Sequence, residues 1–204
     1  MLKLDHLAVA CTDLEEGRAY VEATLGVPMQ AGGKHVNFGT YNYLMGLEDG
    51  VYLEVIAIDP DAPDPGRRRW FDLDDFSGPP RLTNWICQTG DIDAALALAP
   101  DGMGAPLDQR RDDLTWKMAA GEEGHLPVSG GFPAVISWGD TPHPSTRLAP
   151  TGVRLERLVI TNPEAERLTR VLEPLLSDAR IVIEAGEKAL RAEFSTPLGR
   201  RVLE

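Results

Sequence analysis

The stretch Leu2–Asp13 reads LKLDHLAVACTD and combines an apolar β-strand with one histidine and the start of a helix. His6 stands among aliphatic residues, where a titratable ring is either a hydrogen-bonded core residue or a ligand. Thr12 and Glu15 have the spacing of a capping box, and Gly26 is the predicted end of the helix. The opening residues therefore predict a strand, a tight turn and a capped helix.

The composition restricts the classes of partner. The chain has 204 residues, of which 43% are hydrophobic, and a formal net charge of −12. This charge repels nucleic acid and anionic membranes, and no apolar run approaches the roughly 20 residues that span a bilayer. No secretory signal is visible, and Cys11 and Cys87 lie in apolar runs typical of buried free thiols. We therefore expect a cytoplasmic protein that binds neither nucleic acid nor a membrane.

The opening pattern recurs twice, at residues 82–91 and 155–163. Each copy is followed by strand-like segments, so the chain reads as three βαβββ units of an α+β fold. Which two units pair stays open, and the spare one packs at the side or mediates a homodimer. All are expected to form one unit with these boundaries: first module 1–58, linker 59–81, second module 82–139, linker 140–152 and third module 153–204.

The first linker, residues 59–81, is rich in proline and glycine but carries three large aromatic residues. We expect Trp70, Phe71 and Phe76 to pack over a sheet edge or over the mouth of a pocket. Arg67–Arg69 is the only basic cluster, and it is expected to pair with the carboxylates that flank it.

Four short motifs support a family resemblance. They are LDHL at 4–7, G-x-H-x-x-x-G-T-x-N at 33–42, D-G-x-Y-L-E at 49–54 and W-G-D-T-P-H-P at 138–144. On these motifs, the chain resembles the glyoxalase-like subgroup of the glyoxalase/bleomycin-resistance/extradiol-dioxygenase (vicinal oxygen chelate) superfamily. The resemblance covers almost the whole chain. It implies tandem βαβββ modules whose mixed sheet curls into a cup with the helices outside.

The resemblance also implies a divalent metal held by the first and last strands of each module. His6 and Glu54 fall on the ligand positions of the first module, and they suit Zn, Mn, Ni or Fe(II) as a Lewis acid. The matching positions of the other modules hold Asn84 and Arg157. Because catalytic zinc sites normally have three protein ligands, either one divalent metal is completed by other groups or none is bound.

Glu54 is the strongest single clue in the sequence, because a carboxylate in a buried strand requires a partner. The candidate partners are a metal ion, His6, Arg157 and Arg154. An ion pair between Glu54 and Arg157 is the main alternative to the metal.

Further candidate residues surround this pair. His35 and Asn42 flank a Gly-Thr turn, where they either orient a substrate or bond their own backbone. Trp116 and Trp138 either floor a pocket or belong to the core. His143 lies between two prolines and is a candidate for the mouth of the site.

Two functions follow from these residues. The first is an enzyme of lyase, isomerase or dioxygenase type acting on a small oxygenated metabolite. In it, Glu54 is a metal ligand and general base and His6 is the second ligand. The second function is metal-free binding or sequestration of a small molecule, as in bleomycin-resistance proteins, with Glu54, Asn84 and Arg157 fixing its orientation.

Overall fold

A computed structural model describes residues 1–204, and its main feature is an eight-stranded sheet with the strand order β2-β3-β4-β1-β5-β8-β7-β6. The first half contains β1 (Lys3–Ala10), helix α1 (Leu14–Leu25), β2 (Gln30–His35), β3 (Thr40–Gly46) and β4 (Tyr52–Ile58). The second half contains β5 (Arg81–Gln88), α2 (Ile92–Leu96), β6 (Leu107–Arg111), β7 (Leu114–Ala119), the helical turn α3 (Pro127–Gly130) and β8 (Ala134–Ser137).

The two halves of this sheet follow the same pairing rule. In each half the first strand runs parallel to the last one, β1 beside β4 and β5 beside β8. The central strands β1 and β5 are antiparallel, with Leu7 opposite Trp85. The outer strands β2 and β6 approach each other, so the sheet curls into a nearly closed cup. The first and second modules therefore pair with each other, and the predicted fold is confirmed.

The third module forms a separate four-stranded sheet. It contains β9 (Arg154–Asn162), α4 (Ala165–Leu172), β10 (Ile181–Ala185), β11 (Ala189–Thr196) and β12 (Gly199–Leu203). The predicted succession of strand, helix and three strands is present. Its strand order is β10-β9-β11-β12, so β9 takes the strand directly after its helix as its parallel partner. This sheet packs beside the cup, with β12 against α1 and β11 against β5.

The start of α1 differs from the prediction. The N-cap is Asp13, whose carboxylate accepts a hydrogen bond from the amide of Glu16, so the capping box of Thr12 and Glu15 was wrong. The aspartate has the same function at an N-cap as a threonine, and the sequence offered both in succession. Gly26 ends the helix in the left-handed conformation (φ 74°), as predicted.

The linker between β4 and β5 folds back onto the cup. Trp70 and Phe71 are each 3% exposed, which confirms that these aromatic residues cover a pocket. Arg68 pairs with Asp75 and Arg69 with Asp74, as expected for this basic cluster. Both cysteines are free and buried. None of the helices is long and apolar enough to cross a membrane.

Candidate functional site

The cup encloses a small cavity of about 30 Å³ between its two halves. His6, Tyr52 and Glu54 line it from β1 and β4, and Arg111 reaches it from β6. Aromatic rings, among them Trp70 and Phe71 of the linker and the predicted pair Trp116 and Trp138, form much of the remaining wall, together with Leu44, Met118 and Ile136. The volume is above the roughly 10–15 Å³ that one water molecule needs, so the cavity has room for about two water-sized groups, such as the two oxygens of a carboxylate.

His6 lies between two buried carboxylates. Its Nδ1 is 2.6 Å from Asp5 Oδ1, and its Nε2 is 3.6 Å from Glu54 Oε2. Tyr52 stacks on the imidazole with ring centroids 4.4 Å apart, which fixes the plane of the ring. The partner of Glu54 is therefore His6.

Asp5 is the centre of this arrangement, and sequence reasoning missed it. Its fully buried carboxylate also accepts a hydrogen bond from Trp138 Nε1 at 2.9 Å and lies 3.0 Å from His143 Nε2. Neighbouring strand residues normally point to opposite faces, but the register between β1 and β5 shifts between Leu4 and His6. An aspartate beside a histidine in an otherwise apolar strand was the available signal.

These contacts set the charge of each group. Burial alone lowers the pKa of His6, but the hydrogen bond to Asp5 and the nearby carboxylate of Glu54 outweigh burial and raise the pKa to about 9. Burial would raise the pKa of Glu54, but the nearby charge of His6 and the hydrogen bond from Asn42 leave the pKa lowered. His6 is thus an imidazolium at neutral pH. Because its pKa is raised from the ordinary 6.5, the stability it contributes is complete below pH 6.5 and is lost as the pH rises through about 9.

Asn42 joins Glu54 to the rest of the site. Its Nδ2 donates to Glu54 Oε1 at 2.5 Å, and its Oδ1 accepts from the amide of Gly33 at 2.9 Å and from Arg111 at 3.3 Å. His35 lies 3.4 Å from the same Nδ2, and burial lowers the pKa of His35 to about 4, so its ring is neutral. Both residues of the Gly-Thr turn motif therefore face the cavity.

Arg111 is the second residue that sequence reasoning missed. A Cβ on Gly33 would lie 2.5 Å from Arg111 Cδ, so the glycine makes room for the arginine to cross from β6 to β2. No carboxylate pairs with Arg111, whose only side-chain hydrogen bond is to Asn42. The contact exists only when the two edges of the curled sheet meet, and no local pattern reveals it.

Three predicted residues lie away from this cavity. Arg157 is 43% exposed and pairs with Glu184 at 3.3 Å, so the predicted ion pair between Arg157 and Glu54 was wrong. Arg157 lies on β9, and β9 belongs to the second sheet, which lies outside the cup. Arg154 pairs with Asp49. Asn84 lines a neighbouring cavity, which shares Phe71 with the first one.

The donor set does not fit a divalent metal. His6 Nε2 and Glu54 Oε2 lie 3.6 Å apart at the cavity, but no three His, Cys, Asp or Glu side chains are grouped to hold an ion. The cationic Arg111 faces the same cavity and would repel a metal cation.

Comparisons with known proteins show the family and the fold of the chain. The profile of the glyoxalase-like domain family matches residues 4–176. A crystal structure of a hypothetical protein from Staphylococcus aureus superimposes with a TM-score of 0.66 at 15% identity, over 92% of this chain and 87% of that one. Streptomyces coelicolor methylmalonyl-CoA epimerase, in complex with 2-nitronate-propionyl-CoA, matches at 19% identity over 66% of this chain and 96% of its own, with a TM-score of 0.45. A search of curated protein sequences found no significant match.

Proposed function

Because the chain belongs to the glyoxalase-like domain family of the vicinal oxygen chelate superfamily, we propose that it binds a small oxygenated metabolite in the cup without a resident metal. The observation that carries this proposal is the position of His6 between Asp5 and Glu54. The imidazole balances the charge of Glu54. In the family pattern, the metal ion would balance that charge. The cup therefore contains a polar site in which the charge of Glu54 is balanced by a side chain of the protein, His6.

The charges that face the cavity indicate the chemistry of the ligand. His6 and Arg111 are cationic and Glu54 is anionic, so the lining carries a net positive charge. Because Arg111 has no carboxylate partner, its guanidinium is free to bind two oxygens of a carboxylate side by side. The ligand that this site supports best is a small metabolite with a carboxylate next to its other oxygen atoms.

Metal analysis of the purified protein tests the metal-free assignment. We expect the wild type, purified without chelators, to hold well under about one tenth of an equivalent of Zn, Mn, Ni or Fe, because protonated His6 excludes them. The Glu54→Gln variant should show the same background. An equimolar metal in the wild type that is absent from Glu54→Gln would contradict the proposal.

Proton-transfer catalysis is a second candidate, because an acid and a base lie side by side at the cavity: His6 Nε2 and Glu54 Oε2 are 3.6 Å apart. Glu54 would remove a proton from the carbon next to a carbonyl, the electron pair would form a C=C bond, and His6 would protonate the carbonyl oxygen. Reversal of the step in D₂O leaves deuterium on that carbon.

Pyruvate is a suitable probe for this second candidate, with its methyl protons followed by NMR in D₂O. Catalysed exchange that Glu54→Gln abolishes would establish the enzyme. Exchange at the buffer rate in the presence of wild type would leave binding as the function.

A further inference from the structure

A second, larger cavity of about 350 Å³ lies next to the first, between the start of β5 and the start of β11. Its apolar wall includes Phe71, Phe76, Leu82 and Leu190. The volume is in the range of small-molecule sites, whereas the cavity at Glu54 has room for only a few non-hydrogen atoms. A metabolite held at Glu54 therefore has room for its larger part only outside that cavity.

Asn84 lines this second cavity and has no hydrogen-bond partner for its side chain. The residue is 3% exposed, and its carboxamide neither donates to nor accepts from any other protein group. Its Oδ1 and Nδ2 are not sealed in the core but are open to the cavity, where water or a ligand can bond to them. The unpaired donor and acceptor of Asn84 thus define a place for a complementary group.

Most charged groups around the cavity are paired with an opposite charge. Lys188 Nζ lies 3.6 Å from Asp72 Oδ2, and Arg191 Nε lies 3.3 Å from Glu204 Oε1. Asp75 pairs with Arg68. Arg81 has no carboxylate partner, but it is exposed, lies over the ring of Phe76 at 4.2 Å and donates to backbone carbonyls. Asn84 is thus the buried polar group left for a ligand, and its uncharged carboxamide favours a neutral partner.

Phe71 is the wall between the two cavities, and its backbone is in an unusual conformation. Phe71 has a φ of 62° and Asp72 a φ of 55°, in the left-handed region that bulky residues rarely adopt. Such conformations occur at ligand clamps and moving segments. The ring lines both cavities, so it is the side chain whose displacement would join them.

We propose that the cavity at Asn84 is a ligand subsite for a planar, neutral, mainly apolar group that carries a hydrogen-bond donor next to an acceptor, such as an aromatic carboxamide. The carboxamide pairs with that of Asn84 by two reciprocal hydrogen bonds, and the ring packs between Phe71 and Leu82. The inference deepens the proposed function, since it assigns the larger part of the metabolite to this cavity and the carboxylate to Arg111.

Benzamide is the probe that tests the subsite, because it carries this group and no carboxylate. In NMR titrations of the ¹⁵N-labelled protein, benzamide should shift amides of residues 82–84 and 188–190. Its dissociation constant should rise at least about tenfold in Asn84→Leu, which loses both hydrogen bonds. Toluene should bind Asn84→Leu no more weakly than the wild type.

Two controls separate this inference from the proposed function. Benzamide should bind Glu54→Gln as well as the wild type, because the probe does not reach Glu54. The melting temperature of Asn84→Leu should stay within about 2 °C of the wild type, because the carboxamide that it removes is open to the cavity and makes no protein hydrogen bond. If Asn84→Leu does not fold, the affinity of benzamide for Asn84→Ala and the shift map of the wild type test the subsite instead. Shifts confined to other regions, or equal affinity in the wild type and the Asn84 variants, would overturn the subsite.

Discussion

Replacing Asp5 with asparagine is expected to lower the free energy of unfolding by about 3–5 kcal/mol, the range found when one partner of a buried ion pair is removed. The carboxylate of Asp5 is fully buried and is shared by His6, Trp138 and His143. Asparagine keeps the size of the side chain but removes the charge that holds the proton on His6. Denaturant unfolding at neutral pH measures the effect.

The matched control for this prediction is Asp13→Asn, the same substitution at an exposed residue. Asp13 caps α1, and asparagine is an equally good N-cap, so we expect a change within about 0.5 kcal/mol. An Asp5→Asn variant as stable as Asp13→Asn would show that the three donors do not depend on the charge of Asp5.

Replacing Arg111 with methionine is expected to weaken binding of a small carboxylate at least about thirtyfold, since a charged partner in a buried pair contributes roughly 2 kcal/mol or more. Pyruvate and acetate are the probes, titrated by NMR against the labelled protein. The free energy of unfolding should change by less than about 0.5 kcal/mol, because Arg111 has no carboxylate partner to leave unpaired.

Arg110→Met is the control, because Arg110 is the exposed neighbour on the same strand and contacts the carbonyl of Asp112. It removes the same charge from the protein without touching the cavity. Equal loss of pyruvate affinity in Arg110→Met and Arg111→Met would show that the affinity depends on the net charge of the protein and not on a contact between Arg111 and the ligand. Unchanged affinity in Arg111→Met would remove Arg111 from the site.

The sequence predicted the parts of the structure that depend on local pattern and on the repeat. The apolar strand around His6, its return in β5 and the motif ending at Glu54 supported the family resemblance, and that resemblance implied that both side chains lie in one cup. The burial of the linker's aromatic residues was also predictable, because Trp70 and Phe71 are too apolar for a solvated loop.

The remaining features of the site depend on contacts between residues that are far apart in the sequence, and no local pattern predicts such contacts. Asp5 joins the site through a register shift that breaks the strand's alternation. Arg111 arrives only because β6 closes against β2. Alignment of the repeats matched Asn84 to His6, but Asn84 lines a separate cavity between β5 and β11, with Phe71 of the linker between the two cavities. The prediction for Arg157 was wrong because the third module forms a separate sheet with a different strand order. Its succession of strands and helix along the chain resembles that of the other two modules, so the sequence did not reveal the difference.

On our metal-free proposal, one positive charge takes the place of another at this site. In the family pattern, the carboxylate of Glu54 and the imidazole of His6 would share a metal. Here Asp5 stabilises a proton on His6, and the resulting imidazolium faces Glu54. The arrangement leaves Arg111 as the cation available to a ligand.

The central claim is that His6 is an imidazolium paired with Glu54, and an NMR titration of the His6 ring tests it most directly. The ring resonances of His6, assigned by their loss in His6→Gln, should stay those of the protonated form at neutral pH and titrate with a pKa of about 9. In Glu54→Gln the pKa of His6 should fall, because one of its two carboxylate partners is removed. A His6 ring that is neutral at pH 7, with a pKa at or below its ordinary 6.5, would contradict the account.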